Sequence, residues 1–309
     1  MTIAAQAPRT TQAPQQHMTT PAWIALVTVY ILWGSTYLGI RYAIESIPPL
    51  TSAALRFTLA GLILAAFLAI RRGPSVLRVT RRQLASAAAI GTLLLLGGNG
   101  FVVLSEQYIP SGTSALLVAS VPLWIVLWRA VAKDRPTLPA LVGVLIGFAG
   151  LVVLMHPGGG GAHNYVLGVV LVLIASVSWA FGSVASKVWL APPEDPFVAS
   201  AYQMVFGGIG CAAAATLHGE HFHPGAVTGT SVWATLYLVG AGSLVAFSSY
   251  VWLLKNAPIS TVATYAYVNP VVAVALGALF LGESITVAVV IGGLIVVLGV
   301  AVVIATERR

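Results

Sequence analysis

The side chains in this chain that could handle a solute are aromatic, hydroxyl and amide groups set inside long apolar runs. Trp33, Ser35 and Tyr37 share one run, Asn99 lies in another, and Ser120 and Trp124 flank Pro122. Trp179 and Ser183 share a further run, Tyr250 follows Ser243, Ser248 and Ser249, and Tyr265, Tyr267 and Asn269 precede Pro270. Such a set suits a small zwitterion or an aromatic solute, because rings supply apolar contact and the few polar groups fix orientation. The same residue types also build interfacial belts and ordinary cores, and Trp23, Trp189, Trp233 and Trp252 fit the belt better.

Arg56 is the most informative single residue. It lies about six residues into an apolar run, where a charge is expensive unless partnered. Attraction of a substrate carboxylate and a structural pairing with Glu45, Glu106 or helix carbonyls both account for it. No Asp or Glu lies deep in any run, which argues for facilitated movement over proton pumping, and Glu106 is the one candidate for a titrating carboxylate. There is no Gly-x-Ser-x-Gly elbow, no His-Glu-x-x-His and no pair of aspartates within the runs, so an enzyme is not expected. His218, His221 and His223 have ligand-like spacing but fall in a short polar connection and read better as solvated. Neither a metal nor a cofactor is expected.

These groups must be positioned by elements that live in lipid. Of 309 residues, 58% are hydrophobic and 7% charged, too few polar groups to surface a soluble fold. Ten apolar segments, near the ~20 residues a bilayer demands, run over approximately 22–40, 50–70, 84–104, 112–132, 138–155, 165–187, 197–217, 232–253, 260–281 and 286–305. The spacing predicts an all-α membrane protein with ten transmembrane helices. The break at Gly282-Glu283-Ser284 is the shortest, so nine spans is the alternative.

The net charge of +7 reads as topology and not as affinity for nucleic acid. With the N-terminus cytoplasmic, Arg9, the basic residues of 71–82 and 129–135, Lys187, Lys255, Arg308 and Arg309 place thirteen of fifteen cations inside. Both termini are then cytoplasmic. The first 20 residues are polar and lack an apolar core with a cleavage site, so a cytoplasmic tail is expected. Cys211 is the only cysteine, which rules out an intrachain disulfide.

The two halves match at a nearly constant offset. Trp33 and Arg41 match Trp179 and Lys187 (146 apart), and Pro49, Arg56 and Gly61 match Pro196, Gln203 and Gly208 (147). Gln107, Pro110 and Pro122 match Lys255, Pro258 and Pro270 (148), and Gly143 and Gly150 match Gly292 and Gly299 (149). Five spans is an odd number, so the second half enters from the opposite side and the repeats are inverted. That arrangement is characteristic of carriers alternating access around a midplane site. Pro122 and Pro270 each deprive a carbonyl four residues earlier of its donor, at Val118 and Ala266, and are expected to break helices beside the central cavity. Glycines such as Gly143, Gly147, Gly150, Gly292, Gly293 and Gly299 allow close helix contact, within the monomer or across a homodimer, which is left open.

Trp33-Gly34-Ser35-Thr36-Tyr37, Pro48-Pro49 with Arg56, and Ile109-Pro110-Ser111-Gly112-Thr113-Ser114-Ala115-Leu116-Leu117 resemble the EamA family of the drug/metabolite transporter superfamily. So do Asn269-Pro270-Val271 and Leu281-Gly282-Glu283-Ser284-Ile285-Thr286. The likeness runs from about residue 22 to 305, once per half, and implies a tail over 1–20 with EamA-like repeats over 21–156 and 164–306. It further implies a bacterial inner-membrane exporter of metabolites, amino acids among them, whose partners are a small-molecule substrate and the lipid bilayer. One departure is that the first-half match to Gly282-Glu283 reads Lys133-Asp134-Arg135, without the glycine. A passive channel, or a sensor that moves nothing, is the competing reading.

The topology is testable with single cysteines in a Cys211→Ala background. A cysteine at Ser75 should be shielded from an impermeant maleimide in intact cells, and one at Gly219 should react; labelling of both from outside would break the inverted arrangement.

Overall fold

The computed structural model describes residues 18–134, 136–154 and 162–307. Among them the chain is helical without a strand. In order the helices are α1 (Thr20–Ala43), α2 (Pro49–Arg72), α3 (Arg81–Ser105), α4 (Ser111–Val118 and Val121–Val131), α5 (Leu138–Leu154), α6 (Ala162–Val188), α7 (Pro196–Leu217), α8 (Gly229–Asn256), α9 (Ile259–Val262 and Tyr265–Leu281) and α10 (Val287–Glu307). Eight are long and apolar enough to cross a bilayer, and α5 and α9 are shorter apolar helices. The protein is an all-α membrane protein of two repeats. Ile70, Leu145, Leu279 and Leu294 stand exposed on its flanks, as lipid-facing side chains do.

Local chemistry starts these helices where the sequence places them. Pro49 and Pro196 occupy first helical positions, where a missing N–H costs nothing. Thr80 and Gln83 form a reciprocal capping box at α3. Asp195 accepts from Phe197 N at 2.8 Å at the start of α7 and pairs with Arg72 at 2.6 Å.

At the end of the bundle opposite the basic connections, the caps come from distant loops. Glu220 accepts from Leu50 N (2.9 Å) and Thr51 N (2.8 Å) at α2. Glu283 accepts from Ser111 N (2.7 Å) and Gly112 N (3.1 Å) at α4. A carboxylate there meets orphan donors and the positive end of the helix dipole together. Asp134, in the matching connection of the first repeat, pairs with Arg129 at 2.8 Å.

Two helix pairs, α2 with α7 and α5 with α10, interlock most extensively, and each joins repeat counterparts. A methyl added at Gly61 would stand 2.8 Å from Val205 N, and one at Gly208 would stand 2.7 Å from Thr58 N. Thr58 and Val205 are 147 apart, as are the two glycines, so the contact recurs with the halves exchanged. Likewise a methyl at Gly143 would stand 2.8 Å from Gly299 O, and one at Gly292 would stand 3.1 Å from Gly150 O. The pseudo-two-fold axis passes between these pairs, and only hydrogen side chains let the backbones come so near.

Around the axis the remaining helices are irregular. α3 and α8 widen into π-helix over Thr92–Gly100 and Leu238–Phe247, at matching places in the repeats. α4 breaks at Ala119-Ser120, beside Pro122 as expected. α9 does not break at Pro270, which lies inside its second piece; the break is at Ala263-Thr264, nearly two turns earlier. At both breaks the ladder tightens to a three-residue turn, with Ser120 N donating to Leu117 O at 3.0 Å and Thr264 N to Thr261 O at 3.2 Å. In each turn the hydroxyl bonds the same carbonyl: Thr264 Oγ1 donates to Thr261 O at 2.5 Å, as Ser120 Oγ donates to Leu117 O at 2.7 Å.

Gly299→Leu should wedge α5 from α10 at a cost of about 1–3 kcal/mol, seen as a lower melting temperature in detergent, whereas Gly240→Leu, with open space around it, should leave melting unchanged. Glu283→Ala should cost roughly 1–3 kcal/mol through its two orphaned N–H groups, with Glu283→Gln intermediate.

Candidate functional site

The breaks and wide turns ring a central cavity of about 630 Å³, its mouth included, bounded by α1, α2, α3, α4, α6, α8 and α9. Arg56 is its one charged lining residue and is 3% exposed. Its Nε donates to Ser243 Oγ at 2.9 Å and its Nη1 to Asn99 Oδ1 at 3.4 Å. Its Cζ lies 4.8 Å from the ring centre of Phe57. Both hydrogen-bond acceptors come from the π-helical stretches of α3 and α8, whose glycine-rich turns let the guanidinium through. A methyl at Gly242 would stand 2.7 Å from Nη2.

Among the described residues no carboxylate lies within ion-pair distance of Arg56; the ion pairs formed are Arg72–Asp195 and Arg129–Asp134. The structural pairing with Glu45 or Glu106 is therefore not formed. A guanidinium held by two neutral groups keeps its charge available to whatever fills the cavity, in surroundings where an anion would be strongly attracted. Ser176 adds a buried hydroxyl at the cavity wall with no hydrogen-bond partner among the described residues.

Toward the basic end the cavity rests on packed rings. Trp33 lies 5.4 Å from Trp179, 4.9 Å from Tyr250 and 5.3 Å from Tyr265, centre to centre. Trp179 Nε1 donates to Tyr250 Oη at 3.1 Å, which also bonds Ser183 Oγ at 2.9 Å, while Trp33 Nε1 donates to Gly242 O at 3.2 Å. The Asn269 amide, oriented to donate, reaches Tyr30 O at 2.9 Å. Below this layer a second hollow of about 810 Å³ lies among Leu94, Lys187, Gln203 and Leu254.

Of the residues singled out in the sequence, Trp33, Tyr37, Arg56, Asn99, Trp179, Tyr265 and Asn269 meet at the cavity, and Tyr250 and Ser183 form its floor. Ser35 does not join them. It bonds Tyr237 Oη at 2.6 Å on another face, because a residue two places from Trp33 points some 200° round the helix. Ser120 and Trp124 also lie elsewhere: Trp124 Nε1 donates to Ser120 Oγ at 3.2 Å, and the indole packs on Phe148 at 4.9 Å beside a lateral groove. The side chain of Tyr267 lies outside the described residues. Thr36, Ser176, Gly242 and Phe247 are lining residues the composition argument passed over. For Thr36 and Ser176 the phase was available, three residues from Trp33 and Trp179 respectively.

The model of the EamA-like transporter family matches twice, over residues 20–156 and 166–305. The chain is 39% identical over 270 residues to the Escherichia coli K12 protein named "Uncharacterized inner membrane transporter YedA", covering 86% of this chain and 85% of that one. It is 25% identical over 290 residues to an "Uncharacterized transporter" of Archaeoglobus fulgidus, covering 91% and 98%. A solved structure that is 24% identical superposes with a TM-score of 0.68 over 95% of this chain and 100% of the other, a likeness of fold. With the repeat pattern, the ring-lined cavity and both family matches in register, the chain belongs to the EamA-like transporter family.

Proposed function

We propose that this transporter exports small carboxylate-bearing solutes with apolar side chains, amino acids and aromatic ones among them, across a bacterial inner membrane by alternating access. The observation that carries this reading is Arg56, buried in the central cavity against neutral acceptors and facing rings of Trp33, Trp179 and Tyr265. A cation offers a carboxylate its partner, and the aromatic walls offer the side chain apolar contact. Gln203, the counterpart of Arg56, is neutral and lines the hollow at the basic end, so the fold does not require a charge at this position. The basic end is taken as cytoplasmic, with both termini on that side.

Access alternates, in this reading, as the broken helices α4 and α9 rock about the glycine-welded pairs. The packing supports it. The first piece of α4 packs against α9 at the end capped by Glu283, while the second piece of α4 makes no comparable contact with α9 at the basic end.

Counter-flow in proteoliposomes with labelled phenylalanine and threonine should be saturable and mutually competed; linear flux would mark a pore. Arg56→Gln should cut amino-acid flux at least tenfold, the loss of one charged hydrogen bond being about 1.5–3 kcal/mol, and Arg56→Lys should recover part of it. An amphipathic cation carried equally well by wild type and Arg56→Gln would show that the carboxylate reading is wrong.

A further inference from the structure

Glu106 caps the end of α3, beyond Ser105, and is 0% exposed. Neither carboxylate oxygen has a hydrogen-bond partner among the described residues. One turn before it, Val102 lines the central cavity. The residue after it, Gln107, lines a groove of about 850 Å³ at the end opposite the basic connections, together with Arg41, Glu45 and Glu283. Glu106 therefore stands inside the barrier separating cavity from groove.

The groups that face it come from several elements. α1 contributes Tyr37 and Arg41, α2 contributes Arg56, and the α9–α10 connection contributes Glu283. α6 packs on the same turn, with Lys187 at its far end and Tyr165 Oη donating to Leu154 O at 2.8 Å. Arg41 donates from Nη1 to the backbone carbonyl of Glu106 and not to its carboxylate. The repeat counterpart, 148 residues on, is Leu254, also buried. This place in the fold thus accepts a plain apolar side chain, and the carboxyl is an addition that packing does not ask for.

An ionised carboxylate buried without a partner is strongly disfavoured, whereas the neutral acid fits there. Burial holds the Glu106 carboxyl well above the usual carboxylate range; Arg41 and Arg56 oppose the shift and Glu283 reinforces it. We propose that Glu106 is a proton-binding site within this barrier, protonated while the barrier is shut and ionised when opening admits water. The proton passes between a carboxylate oxygen and water of the groove, with no other bond made or broken. Because the shut state binds the proton more tightly than the open one, acid favours closure, and closure weakens as pH rises through the shut-state value. The proposal rests on the alternating-access reading, whereas its first test does not.

That test is infrared spectroscopy of the purified full-length protein in detergent at neutral pH. The carbonyl stretch of a protonated carboxylic acid should be present in wild type and missing from both Glu106→Gln and Glu106→Leu, the latter carrying the side chain that the second repeat tolerates. Equal spectra in this region would overturn the proposal and would mean an ionised Glu106 paired with Arg41. In phenylalanine counter-flow, wild-type exchange should depend on the pH outside and the two variants should be flat; an unchanged profile in folded variants would also overturn it. If no solute exchanges at all, the transport reading falls, while the infrared band still decides the protonation state of Glu106.

Discussion

The constraint behind every feature of this molecule is that lipid supplies no hydrogen bonds, so each polar group must find its partner inside the protein. The chain meets it by segregation. Apolar surfaces of α5, α6 and α10 face outward, most charges sit in the connections at the helix ends, and the irregular backbone lies in the helices around the central cavity. The contacts of Gly61 with Val205 and Gly208 with Thr58 hold α2 and α7 backbone to backbone, as Gly143 and Gly299 hold α5 and α10. These rigid seams free the helices between them from a purely structural role. Those helices can therefore carry breaks, π-turns and a buried guanidinium.

The site follows from that division. Wide turns in α3 and α8 bring Asn99 and Ser243 to Arg56, and Gly242 leaves room for its Nη2. Trp33 and Trp179, counterparts in the two repeats, meet edge to face at the cavity floor. Symmetry thus builds the apolar half of the pocket from both repeats, and the polar half departs from symmetry. Arg56 answers to Gln203 and Glu106 answers to Leu254, so the charged groups belong to the first repeat alone.

The architecture was legible in the sequence because span length, basic connections and the drifting offset all report on the same lipid environment. Seven cavity residues were legible because ring, amide and cationic groups inside apolar runs need an enclosed partner, although belts and cores draw on the same residue types. Phase was less accessible. Proximity in the sequence sets Ser35 beside Trp33 and Tyr37 although the helix turns it away, and Ser120 and Trp124 lie at and beyond the break that resets the register of α4. In α9 the break falls at Ala263-Thr264, and Pro270 sits inside continuous helix. The π-helices left a trace in Gly97-Gly98-Asn99-Gly100 and Gly240-Ala241-Gly242-Ser243, runs that read equally as close-packing glycines.

The uneven placement of charge carries a thermodynamic consequence. In a carrier whose halves swap roles, identical repeats would give two access states of equal free energy. Here Arg56 and Glu106 have no charged counterparts, and Glu283 holds the start of α4 where Asp134 is engaged with Arg129. Under the alternating-access proposal the degeneracy is therefore lifted, and the empty molecule would rest with one face preferred. Such a preference would fix where the carrier waits for cargo, and does not by itself set the direction of net movement.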